Sequence, residues 1–456
     1  MPSIGEDTGG ESTASGLADA GAGDGSNDSA LDDSSTGVAE VHLCGAPDAS
    51  VPLAVLGDAR GGTVLRADGS TSALELSPST APAGADTAPG FAPRGEWIAV
   101  VRTWFEHVGS YGTQIDMLTQ DGQQRWTVTH DLTSLSSLHV GDDGTIVASR
   151  SDATGATTGV LYLEAGEQVL LPGLTPVGRR RSDGWIPGWL PGANGDSTAG
   201  WMSSELAVRQ LRHPVLWSWV PRDDGAFVYL TADAGTVSLV VDEPDAATIV
   251  TIDALAGVDT STLSVSASPD ARWLLVHDDT LGWWRIAVGD GATDALDLTP
   301  PQGTTMMECY SPPVAIDDAG RLLVATRDAT AAAALRLDPV SDTWEVLGER
   351  VTDVDGIATQ PFGETLLVQT SGQGTTFCPR QEFDPGSAVL GGATQQLLRP
   401  IDGYARVVAD DVALLPDRQG RCAALTSAEG LTLVDVVQDL EIDPLPGATA
   451  LVWWNR

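Results

Sequence analysis

The chain of 456 residues carries 24 basic and 63 acidic residues, a formal net charge of −39, and every basic residue is Arg. A field this negative lacks the basic face that neutralising nucleic-acid phosphates requires, so no nucleic-acid partner is expected. No run of about 18 apolar residues exists to cross a membrane as a helix, while 42 % hydrophobic content over this length is enough for a sizeable core.

Residues 1–38 hold eight acidic residues, eight Gly and seven Ser, with no basic residue. Such a segment buries too little apolar surface to offset its ordering entropy, so a disordered spacer is expected there. It resembles the acidic spacer that follows the lipidated Cys in some bacterial surface lipoproteins. Neither an apolar signal core nor a lipobox Cys precedes it, which leaves two readings: a start trimmed or assigned late, or a cytoplasmic protein.

Beyond this spacer one phrase recurs. Ala92-Pro93-Arg94-Gly95-Glu96-Trp97-Ile98-Ala99-Val100, Ser268-Pro269-Asp270-Ala271-Arg272-Trp273-Leu274-Leu275-Val276 and Asp317-Asp318-Ala319-Gly320-Arg321-Leu322-Leu323-Val324 each set a tight polar turn before a short apolar strand. Pro presets φ for the turn, Asp bonds its own backbone, and Gly accepts φ > 0 where the chain reverses. Looser copies centre on Gly144, Gly225 and Gly363, and the markers Gly95, Gly144, Gly225, Ala271, Gly320 and Gly363 are spaced 49, 81, 46, 49 and 43 residues apart. Weaker markers stand at Gly61 or Gly62 and at Asp411.

Further short strands fill the intervals, such as Gln114 to Thr119, Val237 to Val241 and Trp283 to Val288, each bounded by Gly, Asp, Ser or Pro. No stretch of helical periodicity free of Gly and Pro competes with them. Four short antiparallel strands per repeat, arranged around a ring, make a β-propeller blade. The expected fold is therefore all-β, a single propeller over 39–456. The stretch Gly173 to His213 reads as an insertion or an irregular blade; strand counting favours eight blades if it is an insertion, with seven as the alternative. The apolar ending Ala450-Leu451-Val452-Trp453-Trp454 predicts a buried terminal strand that closes the ring by joining the two ends.

The phrases at Ala92 to Val100 and Ser268 to Val276 resemble the TolB-like and WD-type propeller repeats, in which a Ser-Pro-Asp-Gly turn leads into the second strand of a blade. Leu337 to Leu347 resembles the end of a kelch repeat, but occurs once and lacks the double glycine of that family. The resemblance implies architecture only, since propellers host binding, scaffolding and catalysis alike.

Cys44, Cys309, Cys378 and Cys422 are far apart with no Cys-x-x-Cys pair, which argues against zinc. Two disulfides are expected, Cys44 with Cys422 across the ring closure and Cys309 with Cys378 between neighbouring blades; four buried free thiols are the alternative. The disulfides would favour an extracytoplasmic location, at the cell surface, in the periplasm or secreted. No Gly-x-Ser-x-Gly elbow, His-Glu-x-x-His, Walker loop or dinucleotide fingerprint is present, and the six His are scattered singly. No catalytic residue, metal site or cofactor is assigned.

The doubled interval differs from the rest. From Gly173 to Trp219 it carries five Arg against three acids and five of the 14 Trp. Arg179, Arg180, Arg181, Trp185, Trp189, Trp201, Arg209 and Arg212 are the candidate ligand or partner contacts, with the three Trp as an apolar or sugar-stacking platform. Two structural readings compete: Trp side chains filling the wedge between blades, and Arg side chains pairing with acidic neighbours. A monomeric binding or scaffold propeller outside the cytoplasm is expected, its partner a protein or glycan. The alternative is a hydrolase or lyase acting on glycans or peptides with carboxylates in the central channel.

Overall fold

In a computed structural model of the chain, the described residues are 42–454, except 59–60, 83–84, 108–109, 132–133, 152–156, 192–196, 217–218, 279–281, 307–313, 329–330, 353–355, 363–364, 372–392, 400–403, 409–412, 418, 428–429, 443–447 and 449. The spacer expected over 1–38 and the Cys309–Cys378 pairing lie outside them.

Among the described residues the strands form nine antiparallel sheets, eight of four strands and one of five. Blade 1 joins the two ends of the chain: Pro52–Asp58, Gly61–Arg66 and Thr71–Ala73 continue outward from the C-terminal strand Ala450–Trp453. Ala54 pairs with Trp453 and Leu56 with Leu451, so the expected terminal closure is present. Blades 2 to 9 then follow in chain order, beginning at Asp86, Ser134, Thr175, Trp219, Ser264, Thr305, Gly356 and Ala413. In blade 7 the first-strand position is divided between Thr305–Met306 and Val314–Ile316, both paired to Leu322–Arg327.

Nine sheets exceed the eight or seven expected because Gly173 to His213, read as an insertion or an irregular blade, takes the second form. It contains blade 4: Thr175–Pro176, Trp185–Pro191, Ser197–Ser203 and Val208–Gln210. Its turn Ser182-Asp183-Gly184-Trp185 is a copy of the recurrent phrase, 40 residues after Gly144 and 41 before Gly225, and Gly184 has φ +90°. Pro187 sits inside a central strand because its carbonyl faces Val177 N at 3.1 Å; its missing N–H lies on that same edge, where the neighbouring strand is only two residues long. Gly188 is needed for close approach, since a Cβ there would meet Thr175 O at 2.6 Å.

The core lies between blades. Strand alternation sends one face of each sheet toward the preceding blade and the other toward the next. Val55 and Val64 of blade 1 thus meet Ile98 and Val100 of blade 2, and Val228 and Leu239 of blade 5 meet Leu274 and Ile286 of blade 6. Leu431 and Leu433 of blade 9 pack against Leu53 and Trp453 of blade 1. The recurrent turns, each linking the first two strands of a blade, adopt the positive φ their composition predicts: +54° at Gly95, +76° at Gly144, +79° at Gly225 and +76° at Gly320. Ala271 holds the same conformation, at +56°, with a side chain.

The closure has a second component. Cys44, in the turn Leu43–Gly45, is disulfide-bonded to Cys422 in blade 9, with Cα atoms 5.2 Å apart. Cys44 N donates to Asp435 Oδ2 at 2.7 Å, and Gln438 Nε2 donates to His42 O at 2.9 Å. The C-terminal strand thus completes the first blade while the segment preceding that blade is fastened to the last. Among the described residues no helix is long and apolar enough to cross a membrane.

Candidate functional site

Blade 4 distributes the candidate residues over three places. In Trp185–Pro191 the odd positions face blade 5, and Trp201, paired with Pro187, shares that face. Trp201 is fully buried against Phe227, with ring centroids 5.0 Å apart, and its Nε1 donates to Gly225 O at 2.9 Å. Trp185 is half-buried under the Arg209 guanidinium, whose carbon lies 4.8 Å from the ring centroid. Trp189 stays 40 % exposed at the far end of the strand, 4.7 Å from Trp219. The three indoles therefore share one face without forming one open platform: Trp201 is inter-blade core and Trp189 reaches solvent.

Trp189 and Trp219 wall a cleft of 640 Å³ between blades 4 and 5. Leu211 and Val215 complete the apolar side, while Ser197, Thr198 and His213 supply polar groups. Arg212 stands at the edge and is held in place. Its guanidinium pairs with the buried Asp242 carboxylate and reaches Pro244 O at 2.7 Å. Arg209 likewise pairs with Asp245 at the surface.

Arg179, Arg180 and Arg181 lie at the opposite end, on the face built by the recurrent turns. Arg179 pairs with Asp142 in the turn of blade 3 and donates to Asp223 O at 3.2 Å in the turn of blade 5. Arg180 pairs with Asp143 at 2.9 Å, and Arg181 with Asp183 at 3.0 Å while donating to Asp224 O at 2.7 Å. All three guanidiniums thus tie the turns of three consecutive blades together.

Two pockets open on this turn face. One, of 280 Å³, lies where the first strands of blades 1 to 5 end, at the mouth of the central channel. Arg94, His139, Arg179 and Arg222 line it with one carboxylate residue, Asp223. His139 hydrogen-bonds to the carbonyl of Pro176, burial pushes its pKa down to about 4, and its Nε2 is buried without a partner. Arg94 shares Asp142 with Arg179; partial burial opposes them, but the two guanidiniums hold that carboxyl below its ordinary range.

The other pocket, of 680 Å³, spans the turns of blades 5, 6 and 7. It brings Asp318 against Asp270, and burial followed by the charge of Asp270 raises the Asp318 pKa to about 6. Asp270 is itself engaged: its backbone N donates to Asp318 Oδ1 at 2.9 Å, and its carboxylate accepts from Ser268 Oγ at 2.7 Å and Arg272 N at 3.0 Å. Neither pocket was marked by a motif, because both are assembled from turns that read individually as scaffold. Among the described residues no group of three or more His, Cys, Asp or Glu is placed to hold a metal ion. His277 packs on Trp283 with centroids 4.1 Å apart.

No protein-family model matches the chain, and no curated protein matches it. Among solved structures it is similar to the eukaryotic initiation factor, at 9 % identity and a TM-score of 0.51 over 89 % of this chain and 98 % of that one. It is also similar to the β-propeller domain of the Trilobed protease from Pyrococcus furiosus (10 % identity, TM-score 0.33, 73 % of this chain and 97 % of that one). Tricorn protease is similar at 10 % identity and a TM-score of 0.32, over 87 % of this chain and 46 % of that one. At these identities the likeness is one of fold alone. In architecture the chain is a β-propeller.

Proposed function

We propose that this chain is a non-enzymatic binding or scaffold propeller that works outside the cytoplasm, at the cell envelope or after secretion, and receives its partner in the cleft beneath Trp189. The observation carrying this reading is the exposed Trp189 indole beside Trp219 in a 640 Å³ concavity, where apolar ring faces stand next to hydroxyl groups. A large aromatic left 40 % exposed keeps apolar surface in contact with water, which stacking of a ligand ring removes. An uncharged sugar ring fits this chemistry best. Its CH face stacks on the indole, and Ser197, Thr198 and His213 offer partners for its hydroxyls. The Cys44–Cys422 disulfide supports the compartment, because such bonds persist in oxidising surroundings. A glycan array with the whole chain, repeated with Trp189→Ala, tests the reading: binding that depends on Trp189 is expected, and binding indifferent to it removes the cleft from the account.

One observation favours a second reading, a hydrolase or lyase acting on glycans or peptides. Asp318 keeps its proton up to about pH 6 beside a second carboxyl group in a 680 Å³ pocket, and acid and base roles in such enzymes are assigned by environments that separate two carboxyl groups. Turnover of a glycan or peptide that is abolished in Asp318→Asn would establish it.

A further inference from the structure

We propose that the channel mouth on the turn face is a second binding site, distinct from the Trp189 cleft, for a small hydroxylated carboxylate such as a sugar acid. The first observation is sign. In a chain of net charge −39, this pocket is lined by three Arg and one acidic residue, and with Asp142 and Asp224, which pair to those Arg, it is locally balanced rather than negative.

The second is how those guanidiniums are held. Arg94 and Arg179 share the single carboxylate of Asp142, so their combined charge exceeds that of their partner by one. Arg222 is anchored on Asp224 at 2.8 Å, and Arg179 is additionally oriented by Asp223 O. Guanidiniums fixed by other contacts before a ligand arrives lose little freedom on binding, and their forked donors suit a carboxylate.

The third is His139. Its hydrogen bond to the Pro176 carbonyl, together with the partnerless Nε2, puts the ring proton on Nδ1 and leaves Nε2 a buried, bare acceptor on a residue that lines the pocket. With the pKa near 4 the ring is uncharged at neutral pH. An acceptor beside a cluster of cationic donors is matched by a ligand that carries a hydroxyl next to its carboxylate: the carboxylate meets the arginines and the hydroxyl donates toward Nε2. The volume of 280 Å³ admits one monosaccharide-sized ring.

Calorimetric titration of the whole chain at constant ionic strength tests this, using galacturonate, galactose and inorganic phosphate as separate probes. Saturable binding of galacturonate is expected, at least about tenfold tighter than phosphate, with galactose not competing for it. Arg222→Ala and Arg179→Ala should each weaken galacturonate about tenfold or more, and Trp189→Ala should leave it unchanged. Arg222 carries the test if Arg179→Ala lowers the thermal midpoint, because its ion pair, with Asp224, lies within its own turn. His139→Phe should reduce galacturonate binding and leave phosphate binding unaltered. No saturable galacturonate binding up to about 10 mM, an affinity unaffected by Arg222→Ala, or tighter binding of phosphate than of galacturonate would each overturn the assignment. Loss of galacturonate binding in Trp189→Ala would merge the two sites and overturn it as well.

Discussion

Trp201 Nε1, in the third strand of blade 4, donates to Gly225 O, in the turn of blade 5, at 2.9 Å. Arg285, in the third strand of blade 6, makes the same connection to Gly320 O of blade 7 at 2.8 Å, and Trp454 reaches Gly95 O of blade 2 at 3.0 Å. A turn carbonyl, buried at Gly225 and Gly320, is thereby satisfied by a long side chain from the preceding blade, so the recurrent phrase is an inter-blade latch as well as a turn. Trp201→Phe keeps most of the packing but orphans Gly225 O, at a cost of about 1–3 kcal/mol. Trp201→Ala adds a cavity, for about 3–5 kcal/mol in total. Chemical denaturation of the two variants should rank them in that order.

Ala271, with φ +56°, occupies the turn position where other blades place Gly95, Gly144, Gly184, Gly225, Gly320 and Gly420. An L-residue there is strained by about 1–2 kcal/mol, partly offset by the greater freedom Gly has in the unfolded chain. Ala271→Gly should therefore raise the thermal midpoint slightly, whereas Gly320→Ala, whose Cβ would meet the Trp273 ring at 2.7 Å, should lower it.

Asp318 gives stability a defined pH dependence. Its folded pKa, near 6, lies above the unfolded value of 3.8, so its contribution is fully present below pH 3.8 and is lost as pH rises through about 6. His139 acts in the opposite sense: with a folded pKa near 4 against 6.5 unfolded, it withdraws stability as pH falls from 6.5 toward 4. Asp318→Asn separates the two. The thermal midpoint of the variant minus that of the parent should be near zero at pH 4 and positive at pH 7.5; a difference independent of pH would show that Asp318 titrates normally.

The Cys44–Cys422 bond closes a loop over 378 residues of sequence separation. Its removal in Cys44→Ser with Cys422→Ser should cost about 2–5 kcal/mol. Because the same segment is held by Asp435 and Gln438, the reduced chain should still fold at low temperature, which circular dichroism with and without reductant would show.

Much of the fold was legible because each turn announces itself locally through Pro, Asp and Gly, and because the strands after Gly95, Gly144 and Gly225 read directly as buried. Blade 4 was legible only as an insertion or an irregular blade, because Pro187, Gly188 and Pro191 break the usual strand composition, and three arginines mask the Asp183-Gly184 turn. Its strand survives them through contacts made in three dimensions: a two-residue neighbour beside Pro187 and the close approach of Thr175 to Gly188. The candidate site was half legible. A dense group of Trp and Arg marks blade 4, but only geometry separates Trp201, which fills the blade interface, from Trp189, which faces solvent four residues from Trp185 on the same strand. The channel mouth was illegible for a related reason. Arg94, His139, Arg179 and Arg222 come from four consecutive blades and meet only when those blades pack side by side.

The most direct test of the binding account is a comparison of the parent chain with Trp189→Ala on one glycan array, with thermal midpoints measured in parallel. Because Trp189 lies at the rim of the inter-blade core, the variant should keep a midpoint within a few degrees of the parent and lose the bound glycans. A variant that retains every bound glycan at full strength, or one that unfolds because Trp189 is core like Trp201, would contradict the assignment of the cleft as the binding site.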